Sequence, residues 1–403
     1  MKVKGLFLSL CMAAVGLSSC QKDGSGDHVN VASDYSLEEV AKIMTELPIG
    51  IAHVDEVFDA VSSSSYNGYD EEYMFSDLLT RPGEGVGNLK GAAGTSATLM
   101  SESKYSNPLR NLLSDYFADH PRTKSGGPEE SLRALMESGI QIYWPYSEEW
   151  DGESFPIVTF DPENGQESNI GYELVTSADG TTGVKEVIVD EDLARQHPVW
   201  VINRNDDSEY SPISVFSGKQ YLMSENGKCL AVDDDLMPVL CGKKEDSRKV
   251  LKIRAFQMMR NYDSWFAGAS EFWIKCGAVN GFRAATEEDL AKYTPSVTDC
   301  MVVVKRSQLG RTLPLGIVML TDFTDQMENI AFLITEDDGG TIEEWKCEAT
   351  VKVKSKSWGV NISIPYHSKD DIVWRGQLSR DYLASSRYTI SRLGDVSVTF
   401  EME

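Results

Sequence analysis

Two acidic turns in the C-terminal third of the chain are the strongest candidates for chemistry. They are EDDGG at 336–340 and DD at 370–371, and both follow segments with strand-like alternation. If the two preceding strands run in the same direction, the turns share one end of a sheet. Converging carboxylates there could supply the roughly six to eight oxygen ligands that Ca²⁺ takes. The predicted calcium ligands are Asp337, Asp338, Asp370 and Asp371. The alternative is a pair of solvated acidic turns.

Clustered aromatic residues suggest a second kind of site. They lie in IYWPYSEEW (142–150) and NYDSWFAGASEFW (261–273). Exposed aromatic rings stack on sugar rings, so Trp144, Trp150 and Trp265 are predicted ligand-binding residues. The alternative is that these tryptophans pack in the core.

Motifs for catalysis occur only in the wrong context. SESK at 101–104 matches S-x-x-K, but the companion tripeptides SYN (65–67) and KSG (124–126) are in the wrong order for penicillin-recognising serine enzymes. GEGVG at 83–87 follows a helical pattern, whereas a phosphate loop follows a strand. The histidines are His28, His53, His120, His197 and His367, and no two of them have metal-ligand spacing. Catalytic residues therefore stay unknown, and a non-enzyme is favoured.

The cysteines offer one pairing. KCLAVDDDLMPVLC places Cys229 and Cys241 at equal distances from Asp235, on two apolar arms around an acidic turn. Folded as a hairpin, the arms would bring the two thiols across from each other. Spacing alone does not fix connectivity, so the disulfide and two free thiols both stay open. Cys276, Cys300 and Cys347 are predicted to be unreactive buried thiols.

The N-terminus carries a targeting signal. Lys2 and Lys4 precede an apolar stretch that ends in Leu17-Ser18-Ser19-Cys20. This segment resembles the signal peptide and lipobox of bacterial lipoproteins, a resemblance that covers residues 1–20. It implies cleavage after residue 19 and acylation of Cys20 with palmitate-type chains, which anchor a protein stably to a membrane. The resemblance implies an outer-membrane lipoprotein, and the acidic tether favours the cell surface over a periplasm-facing position.

Composition narrows the class of partner. The chain has 403 residues, 63 Asp and Glu against 38 Lys and Arg, and a formal net charge of −25. Such acidity repels phosphate backbones, so no nucleic-acid partner is expected. It equally disfavours docking to anionic lipid by charge alone.

Hydrophobic periodicity sets the fold class. A capping box at 36–39 opens a series of amphipathic helical patterns that runs to about residue 138, after which the period changes to two. We predict an α+β protein with an N-terminal helical region followed by mostly antiparallel β-structure, ending in a β-sandwich. The segments are a signal peptide (1–19), a polar tether (20–35), a helical region (36–138), a central α+β or β region (139–297) and an antiparallel sandwich (298–403) that resembles C2 domains in strand pattern only.

The expected function follows from these features. The chain is interpreted as a membrane-anchored envelope lipoprotein that binds a glycan, a peptide or a protein partner. The alternative is a secreted hydrolase whose catalytic residues converge only in the fold. No cofactor motif is present, and calcium is the one ion that the acidic turns suggest.

Overall fold

Helices dominate the first part of the chain and strands the rest, which confirms the predicted α+β class. The computed structural model describes residues 35–80, 105–121, 127–176, 182–205, 220–223, 229–232 and 249–403. All of them belong to one compact unit. The signal peptide, Cys20 and the tether up to residue 34 lie outside the described residues.

The bounds of the elements are as follows. The helices are α1 (Leu37–Glu46), α2 (Ile51–Tyr66), α3 (Phe75–Leu78), α4 (Leu109–Asp119), α5 (Pro128–Met136), α6 (Glu191–Ala194) and α7 (Arg380–Leu383). Short 3₁₀ helices span Ser147–Glu149, Glu287–Lys292 and Arg306–Gln308. The strands are β1 (Glu72–Met74), β2 (Ile140–Tyr143), β3 (Ile157–Phe160), β4 (Ser168–Thr176), β5 (Thr182–Asp190), β6 (Val199–Arg204), β7 (Gln220–Met223), β8 (Cys229–Val232), β9 (Leu251–Met258), β10 (Ser270–Ala278), β11 (Ser296–Val304), β12 (Leu313–Leu320), β13 (Met327–Glu336), β14 (Ile342–Val353), β15 (Lys356–His367), β16 (Asp371–Ser379), β17 (Tyr388–Leu393) and β18 (Val396–Met402).

The first helix begins where the sequence predicts. Ser36 Oγ accepts a hydrogen bond from Glu39 N at 3.1 Å, which satisfies one free amide of the first turn. The apolar side chains of α1 recur at helical spacing and are buried. One feature of the helical region was missed, because β1 lies within 36–138 and pairs with β2.

A first sheet, with strand order β1-β2-β6-β3-β4-β5, carries the helices on one face. Strands β2 and β6 are buried on both faces. Ile142 and Trp200 face the helices, whereas Tyr143 and Val201 face Trp265 of the C-terminal part. This double burial explains the nearly continuous apolar run of β6.

The C-terminal strands form two further sheets. The second sheet has the order β11-β10-β13-β14-β15, with β16 also paired to β13, and the third has the order β17-β18-β9-β12-β7-β8. Their facing side chains share one core, where the rings of Phe256 and Phe272 lie 5.1 Å apart and those of Phe332 and Phe400 lie 5.4 Å apart. The predicted sandwich is confirmed. It also includes β9 and β10, and the predicted boundary at 297–298 falls inside β11.

Candidate functional site

The two acidic turns lie side by side at one end of the second sheet. Strand β13 ends at Glu336 and β16 begins at Asp371, and these two residues are cross-strand partners. Thr341 N donates to Ser368 Oγ at 3.1 Å, which joins the loops. Gly340 has a φ of 102°, and a Cβ there would lie 2.7 Å from Ser368 Oγ, so this close approach requires glycine.

At this end lies an acid–imidazole cluster, formed by Asp337, His367 and Asp370. His367 Nδ1 lies 2.9 Å from Asp337 Oδ1 and 3.7 Å from Asp370 Oδ1. Both aspartate side chains are buried, whereas the His367 side chain is 20% exposed. The backbone amide of His367 donates to Asp370 Oδ2 at 3.0 Å. Most polar atoms of this cluster therefore have protein partners.

A buried lysine partly neutralises the acid–imidazole cluster. Lys275 Nζ donates to the carbonyl of Pro365 at 2.6 Å. Burial lowers the pKa of Lys275, while the charges of Asp299, Asp370 and Asp337 oppose this effect. Lys275 consequently supplies positive charge to the side of the sheet that holds Asp337 and Asp370.

A second group is the carboxylate cluster, formed by Asp263, Glu271 and Glu336, with one oxygen of each residue within 4.8 Å of the others. Glu336 is 1% exposed, and its carboxyl oxygens lack a hydrogen-bond donor when the group is ionised, whereas the protonated form can donate to Asp263. Burial and the adjacent Asp263 carboxyl group raise the pKa of Glu336 to about 12. The cluster therefore concentrates carboxyl groups in a site that is costly for charge.

The four predicted calcium ligands do not all belong to one cluster. Asp337 and Asp370 meet at His367, whereas Asp338 and Asp371 belong to neither cluster of potential ligand atoms among the described residues. Their charges act on the carboxylate cluster instead, where Asp338 raises the pKa of Glu336 and Asp371 raises that of Asp263. A single four-aspartate site is thus not formed.

The predicted aromatic platform is corrected by burial. Trp144 is 1% exposed and Trp265 is 0% exposed, so neither ring can stack on a sugar in this structure. Trp144 packs edge-on against Trp150 and Trp200, with ring centroids 5.4 and 5.9 Å apart. Trp150 is half-buried and donates through Nε1 to Ser154 O at 2.9 Å. These tryptophans stabilise the core on both faces of the first sheet.

An ion pair joins the first sheet to the sandwich. Arg306 Nε donates to Glu191 Oε1 at 3.1 Å and Nη2 donates to Oε2 at 3.3 Å, so the pair is bidentate. Tyr146 donates to the same Oε1 at 2.6 Å. Burial raises the pKa of Glu191, but the hydrogen bonds from Arg306 and Tyr146 outweigh it and hold the pKa at about 2.

A second junction contact consists of two glutamates near one lysine. Glu71 is buried, accepts from Ser147 Oγ at 2.8 Å and lies 3.4 Å from Lys305 Nζ. Burial and the neighbouring Glu148 raise the pKa of Glu71 well above its usual range. Burial also acts to raise the pKa of Glu148, but Glu71 and Lys305 hold it at about 2. One proton shared between the two glutamates accounts for both shifts.

The β4–β5 hairpin presents an exposed apolar face. Ile170 pairs with Ile188 and Leu174 pairs with Val184, and all four side chains are exposed, Ile188 by 67%. Strand β5 stands at the end of the first sheet in the described part of the chain. An edge strand with exposed apolar residues on one face is a surface for association.

A surface groove of about 710 Å³ lies between α1 and α4. Its polar side chains already contact one another, since Lys42 pairs with Glu38 at 2.6 Å and Tyr116 donates to Glu46 at 2.9 Å. Tyr116 also stacks on His120, with ring centroids 4.4 Å apart. Nothing in this groove indicates a particular ligand.

The cysteines are only partly described. Cys276 is a buried free thiol, Cys347 is a half-buried free thiol, and the buried Cys300 donates through Sγ to Ile274 O at 3.8 Å. Burial raises the pKa of Cys276 to about 12, which keeps the thiol protonated and unreactive. Cys229 begins β8 and Cys241 lies outside the described residues, so their disulfide stays a prediction.

The fold and sites together define an α+β protein with a helix-covered sheet, a two-sheet sandwich and two acidic clusters at one end of that sandwich. No family model, no curated protein and no solved structure matches the chain. Among the described residues, no helix is long and apolar enough to cross a bilayer.

Proposed function

We propose that this chain is a lipid-anchored envelope protein that binds an extended segment of a partner protein along β5. The exposed apolar face of the β4–β5 hairpin is the observation that carries this proposal. Apolar residues in register on an edge strand give side-chain specificity, and the open edge gives main-chain hydrogen bonds. The acylated Cys20 would hold the binding surface at the outer membrane, facing outward.

Exposure along β5 supports strand addition. The residues from Gly183 to Glu186 are all exposed, and Ile188 is exposed as well. Lys185 is held on the opposite face by an ion pair with Glu173 at 3.2 Å. An uncovered strand of this kind is an aggregation hazard that a bound partner would remove.

The register of β5 specifies the chemistry of the partner. Glu186 lies on the apolar face between Val184 and Ile188, because alternate residues of a strand share a face. An added antiparallel strand would place one residue opposite Glu186 and the residues two positions away opposite the apolar side chains. The complementary segment therefore has a central lysine or arginine with an apolar residue two positions to each side. A cationic segment also agrees with the acidity of the chain.

Peptide binding tests this proposal. Fluorescence anisotropy would compare a short labelled peptide that has a central lysine between two valines with the same peptide carrying glutamate at the centre. The purified chain in detergent should bind the lysine peptide about fivefold more tightly, from one opposite-charge pair replacing a like-charge pair. Ile188→Lys should weaken that binding by about tenfold or more.

Ile390→Lys is the matched control. Ile390 is also an isoleucine on an edge strand, β17, and is 70% exposed. This variant should keep peptide affinity within about twofold of the parent. Three results would each refute docking on β5. They are equal affinity for the two peptides, equal effects of the two variants, and no binding of either peptide at about 1 mM.

The lipid anchor has a separate test. Cys20→Ala should abolish metabolic labelling with a palmitate analogue and release the protein from the membrane fraction. Protease treatment of intact cells should degrade the anchored parent, as expected for an outward-facing body. Membrane retention of the alanine variant would exclude the acyl anchor, and full protease protection would exclude the surface position.

A hydrolase is the second candidate, and the contact between His367 and Asp337 favours it. A buried carboxylate that hydrogen-bonds Nδ1 orients an imidazole for general-base catalysis. Release of nitrophenol from a panel of nitrophenyl esters and glycosides, lost in His367→Ala, would support this function. No release by the parent chain would remove it.

A further inference from the structure

We propose that the carboxylate cluster of Asp263, Glu271 and Glu336 is a binding site for Ca²⁺. The three residues come from the loop before β10, from β10 itself and from the last position of β13. The site belongs to the sandwich, so it is separate from the β4–β5 hairpin and goes beyond the proposed function.

Glu336 gives the first argument. Its side chain is almost fully buried, and when it is ionised both carboxyl oxygens lack a hydrogen-bond donor, as does Asp263 Oδ2. Buried polar atoms are nearly always hydrogen-bonded, and buried charges are paired or coordinate a metal. One carboxyl oxygen of each of Asp263, Glu271 and Glu336 lies within 4.8 Å of the others, a spacing that one cation can bridge.

The nearby guanidinium of Arg306 lowers the pKa of Asp263 by its charge but gives no hydrogen bond to Asp263 Oδ2 or to the Glu336 carboxyl oxygens. Arg306 directs two nitrogens to Glu191, and its third nitrogen donates to the backbone carbonyl of Asp263 at 3.2 Å. The guanidinium thus neutralises Glu191 and contacts the main chain of Asp263. A cation from solvent would supply the missing positive charge.

The donor atoms select the class of ion. All three side chains offer carboxylate oxygens, the hard ligands that Ca²⁺ prefers. The acid–imidazole cluster differs because a His367 nitrogen lies among its donors, and imidazole suits transition metals better. Asp338 and Asp371 add negative charge near the carboxylate cluster, which increases the local concentration of divalent cations.

Calorimetric titration of the chelator-treated chain with Ca²⁺ tests the site. The parent should bind one ion, and Glu336→Gln should weaken the affinity at least tenfold, because an amide keeps the shape but removes one charged ligand. Asp370→Asn is the matched control, since it removes a buried carboxylate from the separate acid–imidazole cluster. It should leave the affinity within about twofold.

Each result decides the question. Absence of Ca²⁺ binding by the parent chain overturns the proposal, and so does loss of binding in Asp370→Asn with retention in Glu336→Gln. If Glu336→Gln has an altered circular dichroism spectrum, Asp263→Asn replaces it and should lose affinity by the same factor. Retained affinity in a folded Asp263→Asn variant would also overturn the site.

Discussion

Glu191→Gln removes the charge that pairs with Arg306 at the junction between the first sheet and the sandwich. The side chain of Arg306 is 6% exposed, so the substitution leaves a buried guanidinium without its carboxylate. Glutamine keeps one oxygen for Tyr146 and a similar volume. The loss of free energy of unfolding therefore measures the ion pair rather than a packing defect.

The magnitude follows from the pKa of Glu191. A fall from 4.5 to about 2 corresponds to roughly 3.4 kcal/mol at about 1.4 kcal/mol per unit. Glu191 keeps 23% exposure and its second cationic partner, Arg195, lies at the surface, so solvent screening reduces this value. We expect the variant to lose about 2–3 kcal/mol at pH 7.

The pH dependence has a defined sign. A carboxyl group whose folded pKa is depressed contributes stability that is present above its unfolded pKa and lost as the pH falls toward the folded value. The difference between the parent and Glu191→Gln should therefore be constant above about pH 5 and shrink by about 1 kcal/mol by pH 3.5. Urea denaturation followed by tryptophan fluorescence at both pH values measures this difference.

The control is the exposed pair of Lys185 and Glu173, whose nitrogen–oxygen distance of 3.2 Å is comparable. Glu173→Gln should cost less than about 0.5 kcal/mol, because exposed ion pairs contribute little. Equal losses in the two glutamine variants would contradict the argument from burial. A loss in Glu191→Gln that does not change between pH 7 and pH 3.5 would show that the charge of Glu191 is not its source.

Three other expectations concern the core and the cysteines. Glu71→Gln should become progressively more stable than the parent above about pH 4.5, because ionising a buried carboxyl group with a raised pKa costs stability. The difference in thermal midpoint between the variant and the parent should therefore be larger at about pH 8 than at about pH 5. Trp144→Ala should cost about 3–5 kcal/mol in urea denaturation, as for a buried tryptophan, and a neutral effect would contradict its place in the core. Non-reducing peptide mapping should find Cys229 joined to Cys241, and free thiols at both positions would exclude the crosslink.

Hydrophobic periodicity predicted most of the architecture because the apolar residues of each element fall on the face that the structure buries. The period near 3.6 in α1 and the β-branched runs of β11 and β13 each reflect one buried surface. Strand β1 was missed because three residues are too few to show alternation. The sandwich boundary was placed too late because β9 and β10 pair with strands far along the chain, and sequence spacing does not show such pairing.

The sequence predicted only those parts of the site whose residues lie close together in the chain. The two acidic turns share one end of the sheet as expected, but Glu336 and Asp337, although adjacent in the chain, belong to different clusters. His367 could have been included, since it lies three residues before Asp370 in the sequence. Asp263 and Glu271 had no local signal, because they reach Glu336 only through the pairing of β10 with β13. Trp144 and Trp265 are buried, whereas the sequence predicts exposed rings; clustering in sequence does not distinguish a buried cluster from an exposed platform.

The carboxylate cluster should show opposite stability effects with and without Ca²⁺. In chelator, Glu336→Gln should raise the thermal midpoint, because it removes a buried carboxyl group whose ionised form receives no hydrogen bond. At a Ca²⁺ concentration about 100 times the dissociation constant, binding should stabilise the parent by about 2.7 kcal/mol, and the order of the midpoints should reverse. A buried carboxyl group with a purely structural role would give the same order in both conditions. A reversal would identify Glu336 as a residue that lowers the stability of the metal-free chain and is retained because it binds the ion.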